Sequence, residues 1–106
     1  MSRTLPLIQK LVVQGEIRIS EHGYDELAAD AISVEDVLRG LPEAELVEDY
    51  PEYFKGPSVL VLQKDGRGFP IHIVWGIPNR AKAPAVLVTG YRPQTDKWSD
   101  DFKRRL

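Results

Sequence analysis

The chain has 106 residues, of which 42% are hydrophobic and 28% charged, a composition typical of one globular domain, residues 1–106, and not of a disordered chain. It contains no cysteine, so disulfide bonds and thiolate metal ligands are excluded. The net charge of −2 hides an uneven distribution: residues 1–53 hold four basic and twelve acidic side chains, and residues 54–106 hold ten basic and four acidic ones. A basic half indicates a surface for phosphates or an acidic partner, or simply acidic helices lying against a basic sheet.

The N-terminal residues lead into a charged, periodic segment, not into the apolar core of a secretion signal. No apolar run approaches the roughly 18 residues that a membrane-spanning helix needs. We therefore expect a cytoplasmic protein that has no membrane partner.

Helical periodicity characterises the N-terminal part of the sequence. Three helices are predicted: residues 4–14, a helix that Ser20 caps and that breaks at Asp30, and residues 34–40. Ser33 followed by Asp36 resembles a capping box and supports the start of the third helix. Residues 17–19 are predicted to be a short extended link.

The apolar pattern becomes extended beyond Pro42. Strands are predicted over residues 59–63, 71–77 and 85–92, and residues 44–50 are a further candidate. The run Asp65-Gly66-Arg67-Gly68 indicates a hairpin between the first two of these strands. Residues 98–106 are predicted to be a short helix or a tail. The predicted fold class is therefore α+β, with N-terminal helices followed by an antiparallel sheet of three or four strands.

Hairpin geometry assigns the strand residues to two faces, with Leu60 beside Ile73 and Trp75 opposite Leu87. The same geometry places Ile73 opposite Thr89 and Ile71 opposite Tyr91. The large side chains are expected to face the helices: Leu60, Leu62, Ile71, Ile73, Trp75, Leu87 and Tyr91. The other face is rich in valine and too apolar to be left in water, so the C-terminal segment or a second subunit is expected to cover it. At the end of that face His72, Gly90 and Arg92 are expected to lie together.

The two histidines are the candidate acid–base residues. His72 lies in the middle of an Ile-x-Ile strand, where a polar ring must find a hydrogen-bond partner or face a cleft. His22 follows the Ser20 cap in the first turn of a helix, where the N–H groups of the backbone attract anions. Each has a structural alternative: a satisfied sheet histidine at position 72 and a capping or packing histidine at position 22.

Arginines and lysines of the C-terminal half are the candidate RNA-binding residues. Arg92 offers a planar fork for phosphate and the adjacent Tyr91 can stack on a base; a solvated arginine and a core tyrosine are the alternative. Arg67, Arg80 and Lys82 lie at predicted hairpin tips, where positive charge serves RNA binding or solubility. The sequence has no phosphate-binding glycine loop, nucleophile elbow or paired metal histidines, so we expect no cofactor and no metal.

Two aromatic segments are expected to pack on the core. Trp98 and Phe102 lie four residues apart and predict a tail that docks by its aromatic rings and exposes the basic residues 103–105. The loop Tyr50-Pro51-Glu52-Tyr53-Phe54 is expected to cover the edge of the core, with base stacking as the alternative.

Five ordered blocks of the sequence resemble the bacterial family called domain of unknown function 4258. These blocks are Ile19-Ser20-Glu21-His22-Gly23, Ile32–Val37, Pro70–Val74, Val88–Pro93 and Trp98–Phe102. Members of the family resemble RelE-like and BrnT-like ribonuclease toxins in element order and are often encoded beside antitoxin-like proteins. The resemblance therefore implies a toxin-like α+β fold, metal-independent cleavage of RNA and an antitoxin partner. The positions that match the family's blocks are His22, His72, Tyr91 and Arg92.

Two hypotheses of function follow. In the first, the chain is a metal-independent endoribonuclease toxin: His72 is the general base or acid, His22 its counterpart, Arg92 holds the scissile phosphate and Tyr91 positions a base. In the second, it is a non-catalytic interaction module with structural histidines, whose apolar sheet face binds a partner or a second copy in a homodimer.

Overall fold

The computed structural model describes residues 2–106, in which helices precede a sheet. The helices are α1 (Thr4–Val13), α2 (Glu21–Ala29) and α3 (Val34–Gly40), with a 3₁₀ turn over Leu41–Glu43. The strands are β1 (Ile17–Ile19), β2 (Glu45–Tyr50), β3 (Ser58–Lys64), β4 (Pro70–Gly76) and β5 (Ala85–Tyr91). The predicted α+β class and the three predicted helices are confirmed.

Serine caps determine where α2 and α3 begin. The Ser20 hydroxyl oxygen accepts the N–H of Gly23 at 2.9 Å, and the Ser33 hydroxyl oxygen accepts the N–H of Asp36 at 3.1 Å. The Ser20 hydroxyl also donates to the carbonyl of Val88 at 3.0 Å. The same serine therefore starts α2 and ties it to β5.

The prediction of an antiparallel sheet of three or four strands is wrong in two respects: the number of strands and the direction of one of them. The sheet has five strands in the order β1-β5-β4-β3-β2, and β1 runs parallel to β5. Residues 17–19, predicted as a link, form the additional strand, in which Arg18 pairs with Val86. Three residues are too few to show an alternating pattern, and the partner strand lies far along the chain, so no local signal indicates this pairing.

The β3–β4 hairpin is shifted by one residue from the predicted register. Leu60 pairs with Val74, and Val61 pairs with Ile73. The shift arises at the turn, where one carboxylate oxygen of Asp65 accepts two backbone N–H groups, those of residues 67 and 69, each at 2.9 Å. Because a shift of one residue exchanges the two faces of a strand, the leucines of β3 lie away from the helices and its valines face them.

A bulge in β5 shifts the second hairpin. Trp75 pairs with Leu87 as predicted, but Val88 is an extra residue, so the pairs beyond it move by one and Tyr91 lies opposite His72. The expected pairs of Ile73 with residue 89 and of residue 71 with Tyr91 are therefore wrong. The sequence shows alternation through this stretch and carries no sign of the bulge.

The main core lies between the helices and one face of the sheet. The sheet contributes Val59, Val61, Ile71, Ile73, Trp75 and Leu87, and the helices contribute Ile8, Leu11, Leu27 and Val37. Gly90 belongs to this face, because a Cβ there would come within 2.6 Å of side-chain atoms of both Ile73 and Leu27. Glycine at this position lets α2 pack directly on the sheet. The expected grouping of His72 with Gly90 and Arg92 is therefore wrong, since Gly90 lies on the opposite face from His72.

The C-terminal segment, residues 93–106, crosses the second face of the sheet. It is irregular and closes on itself through a bridge between Trp98 and Arg105. Trp98 is only 5% exposed and packs edge-on against the ring of His72, with 4.4 Å between ring centroids. The prediction that this segment docks by its aromatic residues is confirmed for Trp98. It covers the half of the second face around His72 and leaves the half around Val88 open.

Candidate functional site

His72, Tyr91, Trp98 and Phe102 form a cluster between the sheet and the C-terminal segment, called here the His72 cluster. His72 is fully buried. Its Nε2 lies 2.8 Å from the carbonyl oxygen of Phe102, and its Nδ1 lies 3.2 Å from the Tyr91 hydroxyl. A carbonyl oxygen can only accept, so Nε2 carries the proton and Nδ1 accepts from Tyr91. Both ring nitrogens are therefore engaged inside the protein.

The surroundings of the cluster keep its side chains neutral. Burial lowers the pKa of His72, because the imidazolium is disfavoured away from water, and the carbonyl of Phe102 only partly offsets this effect. Burial likewise raises the pKa of Tyr91. A general acid or base must lie within hydrogen-bond reach of its substrate. Proton transfer at His72 would thus require the C-terminal segment or Tyr91 to move away.

An ion pair fastens the end of the C-terminal segment to β2. Arg105 donates from Nε and from one terminal nitrogen to the two carboxylate oxygens of Glu48, at 2.8 and 3.0 Å. Its guanidinium also lies 4.8 Å from the centre of the Trp98 ring. The bond from Arg105 lowers the pKa of Glu48. Lys103 pairs with Glu45 at 3.1 Å, so two basic residues of this segment bind acidic residues of β2. Arg104 and Arg105 are exposed as predicted, and Lys103 is partly buried.

Arg92 joins three separate parts of the fold. Its guanidinium donates to the carboxylate of Asp65 at 2.9 Å and to the carbonyls of Asp30 and Ala31 at 3.0 and 3.3 Å. Its backbone N–H donates to the Asp30 carboxylate at 2.8 Å. Burial would raise the pKa of Asp65, but the backbone N–H groups of Phe69 and residue 67 together with Arg92 hold it below the ordinary value. A phosphate at Arg92 would have to compete with this carboxylate.

The remaining predicted site residues lie apart from the His72 cluster. His22 is at the surface, 66% exposed, and its nearest ionic partner is Glu26 at 3.7 Å. It is not among the residues that contact the His72 ring. Arg67, Arg80 and Lys82 are exposed on the two turns that flank β4. The structure therefore brings together His72 and Tyr91 among the four proposed catalytic residues.

A cleft of about 710 Å³ lies beside Arg92, at the turn between β3 and β4. Arg67 and the 56% exposed Phe69 line it, so a guanidinium and an aromatic ring face the same space. Asp36 and Asp65 also line this cleft. Its charge is therefore mixed, not uniformly basic.

A second concave region, called here the sheet groove, occupies the open half of the second face. Its volume is about 540 Å³. The floor consists of Val74, Gly76, Val86 and Val88, and the rim includes Arg18, Tyr50, Tyr53 and Lys55. Of the described residues that line it, none is acidic. The groove is thus an apolar floor with a basic rim.

The aromatic loop after β2 was expected to cover the edge of the core, and this expectation is wrong. Tyr50, Tyr53 and Phe54 are 45%, 47% and 73% exposed, and the two tyrosines line the sheet groove instead. No pattern in the sequence singles out the rim residues Arg18 and Lys55. Arg18 lines the groove because β1 pairs with β5, and Lys55 lines it from the loop between β2 and β3.

Within residues 2–106, no group of three histidine, aspartate or glutamate side chains is arranged to hold a metal ion. In the same part of the chain no helix has the length and apolar character needed to cross a membrane.

The fold and these sites define a small α+β protein whose mixed sheet is sealed on one face by helices and only half covered on the other. The chain belongs to the family described as Domain of unknown function (DUF4258), whose model matches residues 19–92. The matched segment contains α2, α3, β2 to β5 and the floor of the sheet groove. No curated protein and no solved structure matches the chain significantly. The family resemblance is confirmed, and the likeness to RelE-like toxins stays a prediction.

Proposed function

We propose that this chain is a non-catalytic interaction module that binds a protein partner through the sheet groove, with His72 as a structural residue. The observation that carries the proposal is the contrast between the two halves of one sheet face. Around His72 the half-face is filled and both ring nitrogens are bonded. Around Val88 it is apolar and open.

Physical reasons favour binding over catalysis at this face. An exposed apolar concavity rimmed by polar groups is typical of interaction sites in soluble proteins. Tyrosines at a rim supply large contact areas with few rotatable bonds. His72, in contrast, holds the C-terminal segment against the sheet, which is a role in stability.

Photo-crosslinking tests this proposal. A benzoylphenylalanine is introduced at Val88, in the groove, or at Val13, which is 81% exposed on α1 and serves as the matched control. In cells of the native host, irradiation is expected to give a discrete protein adduct from position 88 and none from position 13. Equal labelling at both positions, or an adduct with RNA alone, would contradict the proposal.

A second candidate is the metal-independent ribonuclease toxin that the family resemblance implies, with an antitoxin as partner. The cleft beside Arg92 favours it, because Arg67 and Phe69 offer the guanidinium and aromatic ring that single-stranded RNA uses for stacking. His22, Arg80 and Lys82 would then act from the surface, and His72 only after its partners move.

Purified protein and single-stranded RNA in a chelating buffer test this candidate. Ribonuclease activity would appear as cleavage that Arg67→Ala and Phe69→Ala each reduce by about tenfold, as loss of one stacked or charged contact does. Intact RNA after incubation with the wild-type protein would contradict the ribonuclease function.

A further inference from the structure

The sheet groove crosses the whole width of the sheet. Its lining begins at Arg18 on β1 and ends at Tyr50 on β2, at the two edges of the five-stranded sheet. Neighbouring strands lie about 4.8 Å apart, so these edges are separated by roughly 19 Å. A helix of about thirteen residues has the same length. The length of the groove therefore matches three to four helical turns of a partner that lies along it.

The C-terminal segment shows what kind of occupant this face takes. It covers the adjoining half-face with a protein layer anchored by the ring of Trp98. A sheet that is apolar on both faces needs a packed layer on each, and this segment supplies only part of the second layer. A helix in the groove would continue that layer, with its apolar stripe against Val86 and Val88.

The rim of the groove selects the charge of the occupant. Arg18 stands at one edge and Lys55 lies on the loop at the other end, with no acidic side chain among the described lining residues. The loop that leaves the groove at Pro78 continues to the exposed Arg80 and Lys82. This one-sided charge is notable in a chain whose net charge is −2. Complementary potentials favour acidic partners and disfavour basic ones.

The same charges disfavour a second copy of the chain as the occupant. In a symmetric dimer each copy uses the same patch, so Arg18 and Lys55 of one copy would face those of the other. Like charges placed opposite one another across an interface oppose association.

We infer that the sheet groove binds one acidic, amphipathic helix of a partner protein, with its apolar stripe on Val74, Val86 and Val88 and its carboxylates at Arg18 and Lys55. This inference rests on the proposed function and adds the chemistry of the partner.

A displayed library of helical peptides provides the test. The peptides have about fourteen residues, enough to span the groove. Their apolar positions vary among Leu, Ile, Val and Phe, and their polar positions vary among Glu, Gln and Lys. Selection is carried out on the full-length wild type, on Val88→Glu, on the double variant Arg18→Glu/Lys55→Glu, and on Lys10→Glu/Lys97→Glu. The last variant makes the same change in net charge at exposed residues outside the groove. Thermal melts establish that each variant is folded.

On the wild type, glutamate-rich amphipathic sequences are expected to be enriched by about tenfold over Val88→Glu, a ratio that loss of one buried contact and one repelled charge accounts for. Arg18→Glu/Lys55→Glu is expected to reverse the preference to lysine, and Lys10→Glu/Lys97→Glu to retain glutamate. Enrichment no higher than on Val88→Glu, a preference for neutral or basic sequences, or a glutamate preference that survives charge reversal at the rim would each overturn the inference.

The outcomes separate this inference from the function on which it rests. If position 88 gives a protein adduct but the library shows no preference for glutamate, the interaction function is supported and the acidic helix as its partner is contradicted. Failure of both experiments removes both. An adduct consisting of a second copy of this chain also overturns the inference.

Discussion

His72 is the residue through which β4, β5 and the C-terminal segment are joined. A buried imidazole is tolerated because one nitrogen donates to the carbonyl of Phe102 and the other accepts from Tyr91. Its function in the fold depends on being neutral, since a second ring proton would lie on Nδ1, the buried nitrogen that accepts the hydrogen bond from Tyr91. This residue therefore links the stability of the fold to pH.

The lowered pKa of His72 predicts that stability falls with acidification. The unfolded chain takes up this proton near pH 6.5, the ordinary value, while the folded chain resists it. The stabilisation is therefore complete above that pH and decreases below it, with a slope of at most about 1.4 kcal/mol per pH unit for one proton. Urea unfolding of the wild type between about pH 7.5 and 5.5 measures this slope.

His72→Gln is expected to lose that slope, and His22→Gln, which changes the exposed histidine, to keep it. A wild type and a His72→Gln variant with the same pH dependence would show that His72 does not cause the acid sensitivity. Glu48 and Asp65, whose pKa values are also lowered, affect the free energy of unfolding only below this pH range, because the ordinary pKa values of their carboxyl groups are 4.5 and 3.8.

The hydrogen bonds of Arg92 lead to a second prediction at the scale of single residues, which concerns stability. Arg92→Lys keeps the charge but loses the planar fork that reaches Asp65 and the two carbonyls of residues 30 and 31. We expect it to lower the free energy of unfolding by about 1–2 kcal/mol. Arg67→Lys, at an exposed position of the turn that contains Asp65, is expected to change the free energy of unfolding by less than about 0.5 kcal/mol. Equal effects in denaturant melts would show that the Arg92 contacts contribute little to stability.

The sequence shows that His72 needs a partner, but it cannot show which one. The alternation of β4 places a polar ring among isoleucines, and this pattern correctly indicates burial with a hydrogen bond or a cleft. The partner is a backbone carbonyl thirty residues later, in a segment without regular structure. Backbone carbonyls carry no residue identity, so a contact of this kind leaves no trace in the sequence.

At the scale of elements, the C-terminal segment behaves as a strap over the second face. One buried aromatic ring, one hydrogen bond and two ion pairs hold it. Trp98 packs against His72, and the carbonyl of Phe102 accepts a hydrogen bond from the same ring. The ion pairs Arg105–Glu48 and Lys103–Glu45 are partly exposed and contribute little by themselves, because water screens them. Trp98 is therefore the main anchor.

Trp98→Ala is expected to release this segment without unfolding the sheet. The loss of a buried indole costs about 3–5 kcal/mol, and the local contacts that remain are few. Trypsin is expected to cleave after Lys97, Lys103 and Arg104 faster than in Leu106→Ala, a matched variant at a 78% exposed position. In Trp98→Ala the pKa of His72, followed by NMR, should rise toward its ordinary value, because the ring is then less buried. An unchanged cleavage rate would place the anchor elsewhere.

The sequence predicts the three helices and four of the five strands, but it predicts neither β1 nor the pairing of the strands. Helix starts follow from Ser20 and Ser33, whose side chains cap locally. The faces of the sheet depend on the turn at Asp65 and on the bulge at Val88, and each shifts the register by one residue. Alternating valines and leucines fit either face equally, so hydrophobicity alone could not choose between them. The open groove could be anticipated as an apolar face, but its basic rim depends on the long-range pairing of Arg18.

For the whole molecule, the separation of charge noted in the sequence has a structural meaning. Some basic residues of the C-terminal half pair with acidic residues of the N-terminal half, as Lys103 does with Glu45 and Arg105 with Glu48. These acidic partners lie on β2 and the basic ones in the C-terminal segment, so a contact between acidic helices and a basic sheet does not account for these pairs. Arg18 and Lys55 at the sheet groove have no such role among the ion pairs of the described chain. Within the described chain no ion pair neutralises their charge.

This distribution predicts the oligomeric state. Sedimentation at about 0.15 M salt is expected to give a monomer of 12.0 kDa, because repulsion between two copies of the basic rim opposes dimer formation through the groove. At about 1 M salt that repulsion is screened while apolar association is retained, so weak self-association is expected to appear for the wild type. Val88→Glu, which places a charge on the groove floor, should abolish it, and Val13→Glu should not. A stable dimer at low salt that Val88→Glu dissociates would show that the groove is a homodimer interface, and that the partner of this face is the chain itself.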